Sequence, residues 1–307
     1  EGKIHPVSYE LLGKGTEIAT KLGIEVSALL LGSEMGGEVN ELIYYGAQKV
    51  YYVDNPGLRD FDLLNYKHNI CRVVNEVKPE TLLVGATHLG RSLAPRVAAA
   101  LNTGLTADCT ALEVGDERNL VQIRPAFSGN ILAHIRTTTR PQMATVRYKV
   151  MQKLPRDASK KGEIIRMKAD MIDSILKIVS KESAGSVNIA EADVIVCGGR
   201  GLKSAADFSL VEELANALGG VVGCTRPIVD DGWVGKEHQV GFSGNTVKPK
   251  LYVAVGVSGS PQHLAGMRDS DVILAINADP SAPIFKVADY GIVGDLYEVL
   301  PRLTAEA

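Results

Sequence analysis

Short apolar runs alternate with stretches of helical spacing in the early part of the chain. Runs rich in Leu, Val and Tyr predict buried strands at Val26–Gly32, Lys49–Asp54 and Thr81–Ala86. Between them, apolar side chains recur at helical intervals over Asn40–Tyr45 and Leu63–Val77. Strand, helix and strand at these intervals predict a parallel sheet that is covered by helices.

The pattern changes after residue 100. Over residues 120–147, alternating positions with Gly-Asn and Arg-Pro breaks predict irregular strands. Residues 155–192 are typical of a connection, with a polar start, an amphipathic helix over Met167–Ser180, and a run of small and polar residues over 181–188. This favours a domain boundary between residues 185 and 186, the alternative being a long surface excursion within one domain.

A second alternating unit follows the connection. Its first strand runs into glycines in "ADVIVCGGRGLKS", and "SLVEELANALGG" predicts a helix that is capped by Ser209 and ended by Gly219 and Gly220. The runs "VVGC", "KLYVAVG" and "DVILAINAD" predict further strands, and a helix begins near Pro261. The predicted fold is α/β, with two doubly wound parallel-sheet domains in tandem over residues 1–185 and 186–307.

Composition and charge exclude several classes of function. The 307 residues are 45% hydrophobic and 22% charged, as in a soluble globular protein, and the net charge of -3 gives no reason to expect a nucleic-acid partner. No run approaches the roughly 18 apolar residues of a membrane span, and the first residues lack the pattern of a signal peptide. Four widely spaced cysteines argue against a metal centre or disulfides and favour a reducing compartment, the cytoplasm.

The turns after the strands of the second unit carry the candidate chemistry. The run "CGGRGLKS" does not match the dinucleotide fingerprint, because Ser204 stands where its third glycine is needed. It does not match the phosphate-binding loop either, because Leu202 and not glycine precedes Lys203. Open α/β sheets nevertheless bind ligands at the carboxyl ends of their strands, where these turns lie.

The side chains of these turns include two arginines with several hydroxyls and amides. Such a set suits an anionic, sugar-bearing, heterocyclic ligand better than a metal ion. Taken singly, each residue could be a surface arginine or a turn former, so the inference depends on the coincidence of six such turns. The candidate binding residues are Arg200, Thr225, Arg226, Ser243, Gly244, Ser258, Gln262, His263, Asn277 and Asp295.

Long stretches of the chain resemble the alpha subunit of electron-transfer flavoproteins. In the second half these are "VCGGRGLKS", "LYVAVGVSGSPQHLAGM" and "VILAINADPSAPIFKVADYGIVGDLYEVLP", and "GATHLGRSLAPRVAAALNTGLTADCT" matches the family's first domain. The resemblance covers nearly the whole chain. It implies a heterodimer in which residues 1–185 contact a beta subunit, and one FAD held mainly by residues 186–307.

The resemblance also assigns roles by matching position. It places Arg200 near the FAD diphosphate, and Thr225 and Arg226 beside the flavin. It implies that the Ser243 hydroxyl, in place of a threonine, faces the flavin N5, next to Gly244. It implies that Ser258, Gln262 and His263 line the flavin and its ribityl chain, with His263 near the pyrimidine edge. It places Asn277 and Asp295 on the adenosine side.

One segment departs from the family. The family commonly has Gln-Thr-Gly-Lys where this chain has Phe242, Ser243, Gly244 and Asn245, which removes a polar side chain and a positive charge. Family members also begin with an extra strand before the position of Glu1. As an electron carrier, the chain needs no catalytic residue. We expect Arg226, His263 and the dipole of the helix after Pro261 to stabilise negative charge on the reduced flavin.

Two functions remain open within the family. One is a simple carrier between flavin dehydrogenases and an acceptor. The other, which we favour, is a bifurcating complex of the bacterial cytoplasm that uses NADH and ferredoxin and an acyl-CoA dehydrogenase-like flavoenzyme. From other classes, a nicotinamide-dependent dehydrogenase and a nucleotide-binding sensor are the alternatives, and both predict a colourless protein.

Overall fold

The computed structural model describes residues 2–126, 131–180 and 188–307. The chain divides into two compact units, Glu1–Lys181 and Glu182–Ala307. The predicted boundary at residues 185 and 186 lies outside the described residues, as do most of the small polar run and the predicted Gly-Asn break. Within the described ranges, no helix has both the length and the apolar character that crossing a membrane requires.

The first unit alternates helices and strands. Its α-helices are α1 (Val7–Leu22), α2 (Gly36–Tyr44), α3 (Leu63–Val77) and α4 (His88–Ala100). Its strands are β1 (Ser27–Gly32), β2 (Lys49–Asp54), β3 (Thr81–Gly85), β4 (Leu105–Cys109), β5 (Ala111–Val114), β6 (Leu120–Ala126), β7 (Ile131–Arg136), β8 (Gln142–Val146) and β9 (Glu163–Met167). The predicted strands and helices before residue 100 are confirmed within a few residues.

The strands described in this unit form three small sheets. Two are parallel, in the orders β1-β2-β9 and β3-β8-β4, and the third is antiparallel, in the order β5-β6-β7. The parallel α/β arrangement is confirmed. The antiparallel sheet accounts for much of the irregular alternation after residue 100, because β7 alternates between exposed and half-buried positions as a strand with one solvated face does.

The predicted helix over Met167–Ser180 is wrong. Met167 ends β9, and the residues from 168 to 180 form neither helix nor strand, with hydrogen bonds from Asp170 and Ile172 to side chains of α3. The side-chain amide of Asn69 pairs with both backbone groups of Asp170, at 2.8 Å each, and Asn65 pairs in the same way with Ile172, at 2.9 and 3.2 Å. Because these buried amides satisfy the backbone, the segment needs no helical hydrogen bonds there.

The described residues of the second unit, 188–307, form a single sheet of five parallel strands. The strands are β10 (Val194–Gly198), β11 (Val221–Cys224), β12 (Leu251–Val255), β13 (Val272–Asn277) and β14 (Tyr290–Val293). The helices are α5 (Phe208–Ala217), α6 (Arg226–Asp230), α7 (Pro261–Leu264) and α8 (Leu296–Glu306). The order β11-β10-β12-β13-β14 is that of a doubly wound, flavodoxin-like sheet, which confirms the predicted architecture.

Both faces of this sheet are buried. Alternate residues of β10 and β12 pack into two separate hydrophobic clusters, Ile195 and Tyr252 in one and Val196 and Val253 in the other. Such continuous apolar strands are expected where helices and loops cover both faces of a parallel sheet. The sheet therefore supports the turns that follow its strands, and the polar side chains of the candidate site lie in those turns.

The start of α5 differs from the prediction. The helix begins at Phe208, after a short turn in which the backbone of Ser204 donates to the Asp207 carboxylate at 2.9 Å. Ser209 lies inside the helix, where its hydroxyl donates to the carbonyl of Ala206, so it is not the cap. The predicted end is confirmed, because Gly219 adopts the left-handed conformation, with a φ of 63°, just after the helix.

Candidate functional site

A cleft of about 700 Å³ opens at the carboxyl ends of the strands of the second unit. The turns after β10, β11, β12 and β13 line it, together with residues 239–243. The chain leaves β10 for β11 on one side of the sheet, and β12 leads to β13 and β14 on the other. The cleft therefore lies at the point where the strand order reverses, which is where doubly wound sheets bind ligands.

Most of the predicted binding residues come together in this cleft. Eight of the ten line it: Arg200, Thr225, Arg226, Ser243, Ser258, Gln262, His263 and Asn277. Gly244 and Asp295 are not among its lining residues. The volume lies within the roughly 300–1,000 Å³ range of small-molecule sites.

The glycines of "CGGRG" allow two turns to pack backbone against backbone. A Cβ on Gly201 would lie 2.6 Å from Cα of Gly256, and one on Gly199 would lie 2.5 Å from the Gly256 carbonyl oxygen. The Gly201 N–H donates to that carbonyl at 2.9 Å. No side chain fits at these positions, so the glycines fix the floor of the cleft by joining the turns after β10 and β12.

The turn after β12 depends on Gly259 for a different reason. Gly259 has a φ of 84°, and a Cβ there would lie 2.4 Å from the backbone nitrogen of Ile284. Pro261 then begins α7, which is only four residues long. A helix of one turn sums few peptide dipoles, so the expected contribution of its dipole to the flavin site is correspondingly small.

His263 is buried in the wall of the cleft, with 5% of its surface exposed. Its Nε2 lies 3.1 Å from the hydroxyl of Tyr252, and its buried Nδ1 makes no hydrogen bond of normal geometry. Burial lowers the pKa of His263 to about 4, and the opposing interaction with the Val240 backbone is weaker. The ring is therefore neutral at neutral pH, and the expected stabilisation of negative charge on the reduced flavin by His263 remains a prediction.

The two arginines are the cations of the cleft. Arg200 is exposed in the turn after β10, and Arg226 begins α6 with 67% of its side chain exposed. Nε of Arg226 lies 3.2 Å from the carboxylate of Asp230, one turn along the helix. Because exposed pairs of this kind contribute little, a bound anion can compete for Arg226.

Ser243 keeps a free hydrogen-bond donor. The buried amide of Gln239 donates to its hydroxyl oxygen at 2.9 Å, which leaves the hydroxyl hydrogen available to a ligand. The neighbouring Phe242 lines the cleft with 72% of its surface exposed. Its backbone N–H donates to the carbonyl of Gln262 at 2.8 Å, which ties this loop to α7.

Two family models match the chain. The electron transfer flavoprotein domain matches residues 1–171, and the electron transfer flavoprotein FAD-binding domain matches residues 188–268. The chain belongs to the electron transfer flavoprotein family. Its second unit carries the family's FAD-binding domain, and FAD is its cofactor.

Curated relatives place the chain among the alpha subunits. It is 48% identical to the electron transfer flavoprotein subunit alpha of Thermoanaerobacterium thermosaccharolyticum, over 99% of this chain and 94% of that protein. It is 49% identical to Protein FixB of Clostridium saccharobutylicum, over 100% and 93%. It is 48% identical to the lactate dehydrogenase (NAD(+),ferredoxin) subunit LctC of Acetobacterium woodii, over 99% and 73%.

The residues of the cleft fit FAD, an anionic dinucleotide. Two arginines offer positive charge to an anionic cofactor, while hydroxyls and amides can pair with its ribityl and ring polar groups. Among the described residues that line the cleft, Asp279 is the one acidic side chain, and it already accepts from the backbone and hydroxyl of Ser281. No cluster of three or more metal-ligating side chains occurs in the described ranges.

Three predicted flavoprotein contacts have structural roles here. The Asn277 amide donates to the carbonyl of Val257 at 2.9 Å and accepts from the backbone of Asp279, so it joins two turns of the cleft. Asp295 caps α8 by accepting from the Tyr297 N–H. Gly244 sits in a tight turn, where a Cβ would lie 2.4 Å from the carbonyl oxygen of Gln239. For these three, a role in binding FAD remains a prediction.

Two residues that support the flavoprotein cleft are not among the predicted binding residues. Gln239 begins the run "QVGFSG", where its residue type indicates no partner, yet its buried amide orients the Ser243 hydroxyl. Tyr252 lies within an apolar strand, where its type indicates packing, yet its hydroxyl bonds His263. Only the fold, which brings β12 beneath α7, reveals these partners.

Proposed function

We propose that the chain is the FAD-carrying subunit of a heterodimer that works in flavin-based electron bifurcation in the bacterial cytoplasm. In this proposal the beta subunit receives electrons from NADH, and ferredoxin and an acyl-CoA dehydrogenase-like flavoenzyme are the acceptors. One relative, 48% identical over 99% of this chain, is a subunit of a lactate dehydrogenase that uses NAD(+) and ferredoxin. That relationship carries the proposal.

Bound FAD supplies a centre that accepts and releases electrons, and the residues of the cleft set the conditions under which it does so. Arg200 and Arg226 supply the positive charge that favours binding of the diphosphate and added negative charge on the cofactor. The Ser243 hydroxyl offers a hydrogen to an acceptor atom. His263 contributes a neutral wall instead of a charge.

A simple electron carrier is the second candidate. A relative at the same 48% identity is named only as an electron transfer flavoprotein alpha subunit, so the bifurcation proposal rests on the NAD(+) and ferredoxin in the name of the LctC relative and not on the degree of identity. The two differ in whether NADH alone delivers electrons to the complex.

Anaerobic mixing of the purified heterodimer with NADH tests the proposal. We expect the flavin absorbance to bleach within the mixing experiment, and ferredoxin to be reduced only when the flavoenzyme acceptor is also present. Dithionite serves as the control, because it reduces the flavin in either case. Flavin that bleaches with dithionite and with a reduced acyl-CoA dehydrogenase, but not with NADH, would instead identify a simple carrier.

A further inference from the structure

A buried hydrogen bond links the central sheet of the second unit to the wall of the cleft. Tyr252 lies on β12, between β10 and β13, and its side chain is fully buried. Its hydroxyl is 3.1 Å from Nε2 of His263, which lies in the first turn of α7. A tyrosine hydroxyl is an uncommon group inside a sheet core, and it is placed there with a partner.

The same turn of α7 holds the loop that contains Phe242 and Ser243. The Phe242 N–H donates to the carbonyl of Gln262, and a Cβ on Gly241 would lie 3.0 Å from that oxygen and 3.5 Å from Cα of His263. The loop therefore packs closely against the backbone that carries His263. Movement of this turn would move Ser243 and the exposed ring of Phe242 with it.

The hydrogen bond also constrains the state of the His263 ring. The neutral imidazole has one N–H donor and one acceptor nitrogen. The Val240 backbone favours protonation of the ring, and a backbone carbonyl does so by accepting an N–H. Since Nε2 faces the phenol, the nitrogen left for that proton is Nδ1, and Nε2 accepts from Tyr252. If Nε2 carried the proton instead, it would donate to the phenol oxygen, and the phenol would have to donate to the thiol of Cys197, which is a weak acceptor.

We propose that Tyr252 is a positioning residue of the FAD cleft: its hydroxyl holds Nε2 of His263, and through the first turn of α7 it fixes the wall that carries Phe242 and Ser243. The inference rests on this cleft being the FAD site. It assigns His263 an anchoring role through Nε2, while its buried Nδ1 makes no hydrogen bond of normal geometry with the described residues.

Nuclear magnetic resonance of the FAD-free chain tests the anchor without the cofactor. In the unaltered chain we expect His263 to carry its proton on Nδ1, with its signals identified among the six histidines by their loss in His263→Gln. Tyr252→Phe removes only the hydroxyl, and it should shift the His263 nitrogen signals and the backbone amide signals of Phe242 and Ser243. Tyr290→Phe, at an exposed tyrosine of β14, should change none of them.

Two substitutions of His263 separate anchoring from other roles. Glutamine places an amide near the position of Nε2 and can still bond the phenol, whereas asparagine is too short to do so. We expect Tyr252→Phe and His263→Asn to weaken FAD binding roughly three- to tenfold, as for the loss of one hydrogen bond. His263→Gln should weaken it less, and Tyr252→Phe should add nothing in the His263→Asn background.

The outcomes distinguish this inference from the proposed function. If the unaltered heterodimer binds no FAD, the proposed function fails. The resonance measurements on the FAD-free chain still test whether Tyr252 positions His263 and the loop with Phe242 and Ser243. If FAD binds but Tyr252→Phe leaves the Phe242 and Ser243 signals in place, the positioning role is overturned. Equal loss of affinity for His263→Gln and His263→Asn overturns it as well, and this pair remains informative if Tyr252→Phe does not fold.

Discussion

His263 lies inside the wall of the cleft, where burial keeps its imidazole neutral near neutral pH. The ordinary pKa of histidine is about 6.5, so the unfolded chain gains a proton at this residue well before the folded chain does. Protonation at low pH therefore favours unfolding. The folded pKa of about 4 places this loss of stability between pH 6.5 and pH 4, and none of it acts above pH 6.5.

We predict that His263→Gln reduces the acid sensitivity of the second unit. Between pH 7 and pH 5 the unaltered chain should lose about 2 kcal/mol more unfolding free energy than the variant, because a glutamine takes up no proton. Calorimetric unfolding of the FAD-free chain at the two pH values measures this difference. His134→Gln, at an exposed position of β7, is the control and should retain the full pH dependence. Identical pH dependence in His263→Gln and the unaltered chain would contradict the prediction.

Phe242 exposes an aromatic ring at the rim of the cleft, where the resembling family has glutamine. We predict that Phe242→Ala weakens FAD binding several-fold while changing the unfolding free energy by less than about 0.5 kcal/mol, because the ring is solvated in the FAD-free chain. Titration with FAD and calorimetry measure the two quantities. Tyr290→Ala, at an exposed aromatic residue of β14, should leave FAD binding unchanged. An unaltered FAD affinity in Phe242→Ala would show that the ring does not contribute to FAD binding.

At the scale of elements, the sequence identified strands and helices where local pattern and packing agree. α3 covers Leu63–Val77 as predicted, because Asp62 caps its first turn and Lys78 ends it in a left-handed conformation. The residues after Met167 have apolar spacing suited to a helix, but Asn65 and Asn69 on α3 bind their backbone instead. The apolar spacing of a segment gives no information about a hydrogen-bond partner that lies about a hundred residues away in the chain.

The same limit applies to the cleft. The turns could be found from the sequence because parallel strands expose their carboxyl ends at one edge. The bond from Tyr252 to His263 and the neutrality of His263 could not, since each depends on burial and on contacts between elements. The capping role of Asp295 is local, because its partner is the N–H of Tyr297 two residues further on, so the sequence can indicate it. Residue type thus indicated the place of the site better than the role of each side chain.

We predict that Asn69→Ala detaches the segment around Asp170 from α3. Its amide is buried and satisfies both backbone groups of Asp170, so its loss should cost about 1–3 kcal/mol and expose the Asp170 amide to rapid hydrogen exchange. Ile172, whose amide donates to Asn65, should remain more protected. Asn40→Ala, at an exposed asparagine of α2, is the control and should change neither quantity. Unchanged exchange at Asp170 would show that the segment is held by other contacts.

At the scale of the whole molecule, each unit has its own hydrophobic core. In the described part of the chain, two of the buried clusters lie wholly in the second unit and the other four lie wholly in the first. Units with separate cores can unfold in separate transitions. The FAD cleft is built entirely from residues of the second unit.

We therefore predict that FAD raises only one of two calorimetric transitions of the isolated chain. At free FAD of about 100 times its dissociation constant, mass action stabilises the unit that binds it by about 2.7 kcal/mol, and the other transition should stay in place. Asn69→Ala identifies that other transition, because it lowers the stability of the first unit alone. Adenosine alone, which lacks the flavin and the diphosphate, should shift the second-unit transition less than FAD at equal concentration. If FAD raised both transitions together, or if the Asn69→Ala variant lowered the transition that FAD raises, the two units would be one cooperative body and stability could not be assigned to the cleft by unit.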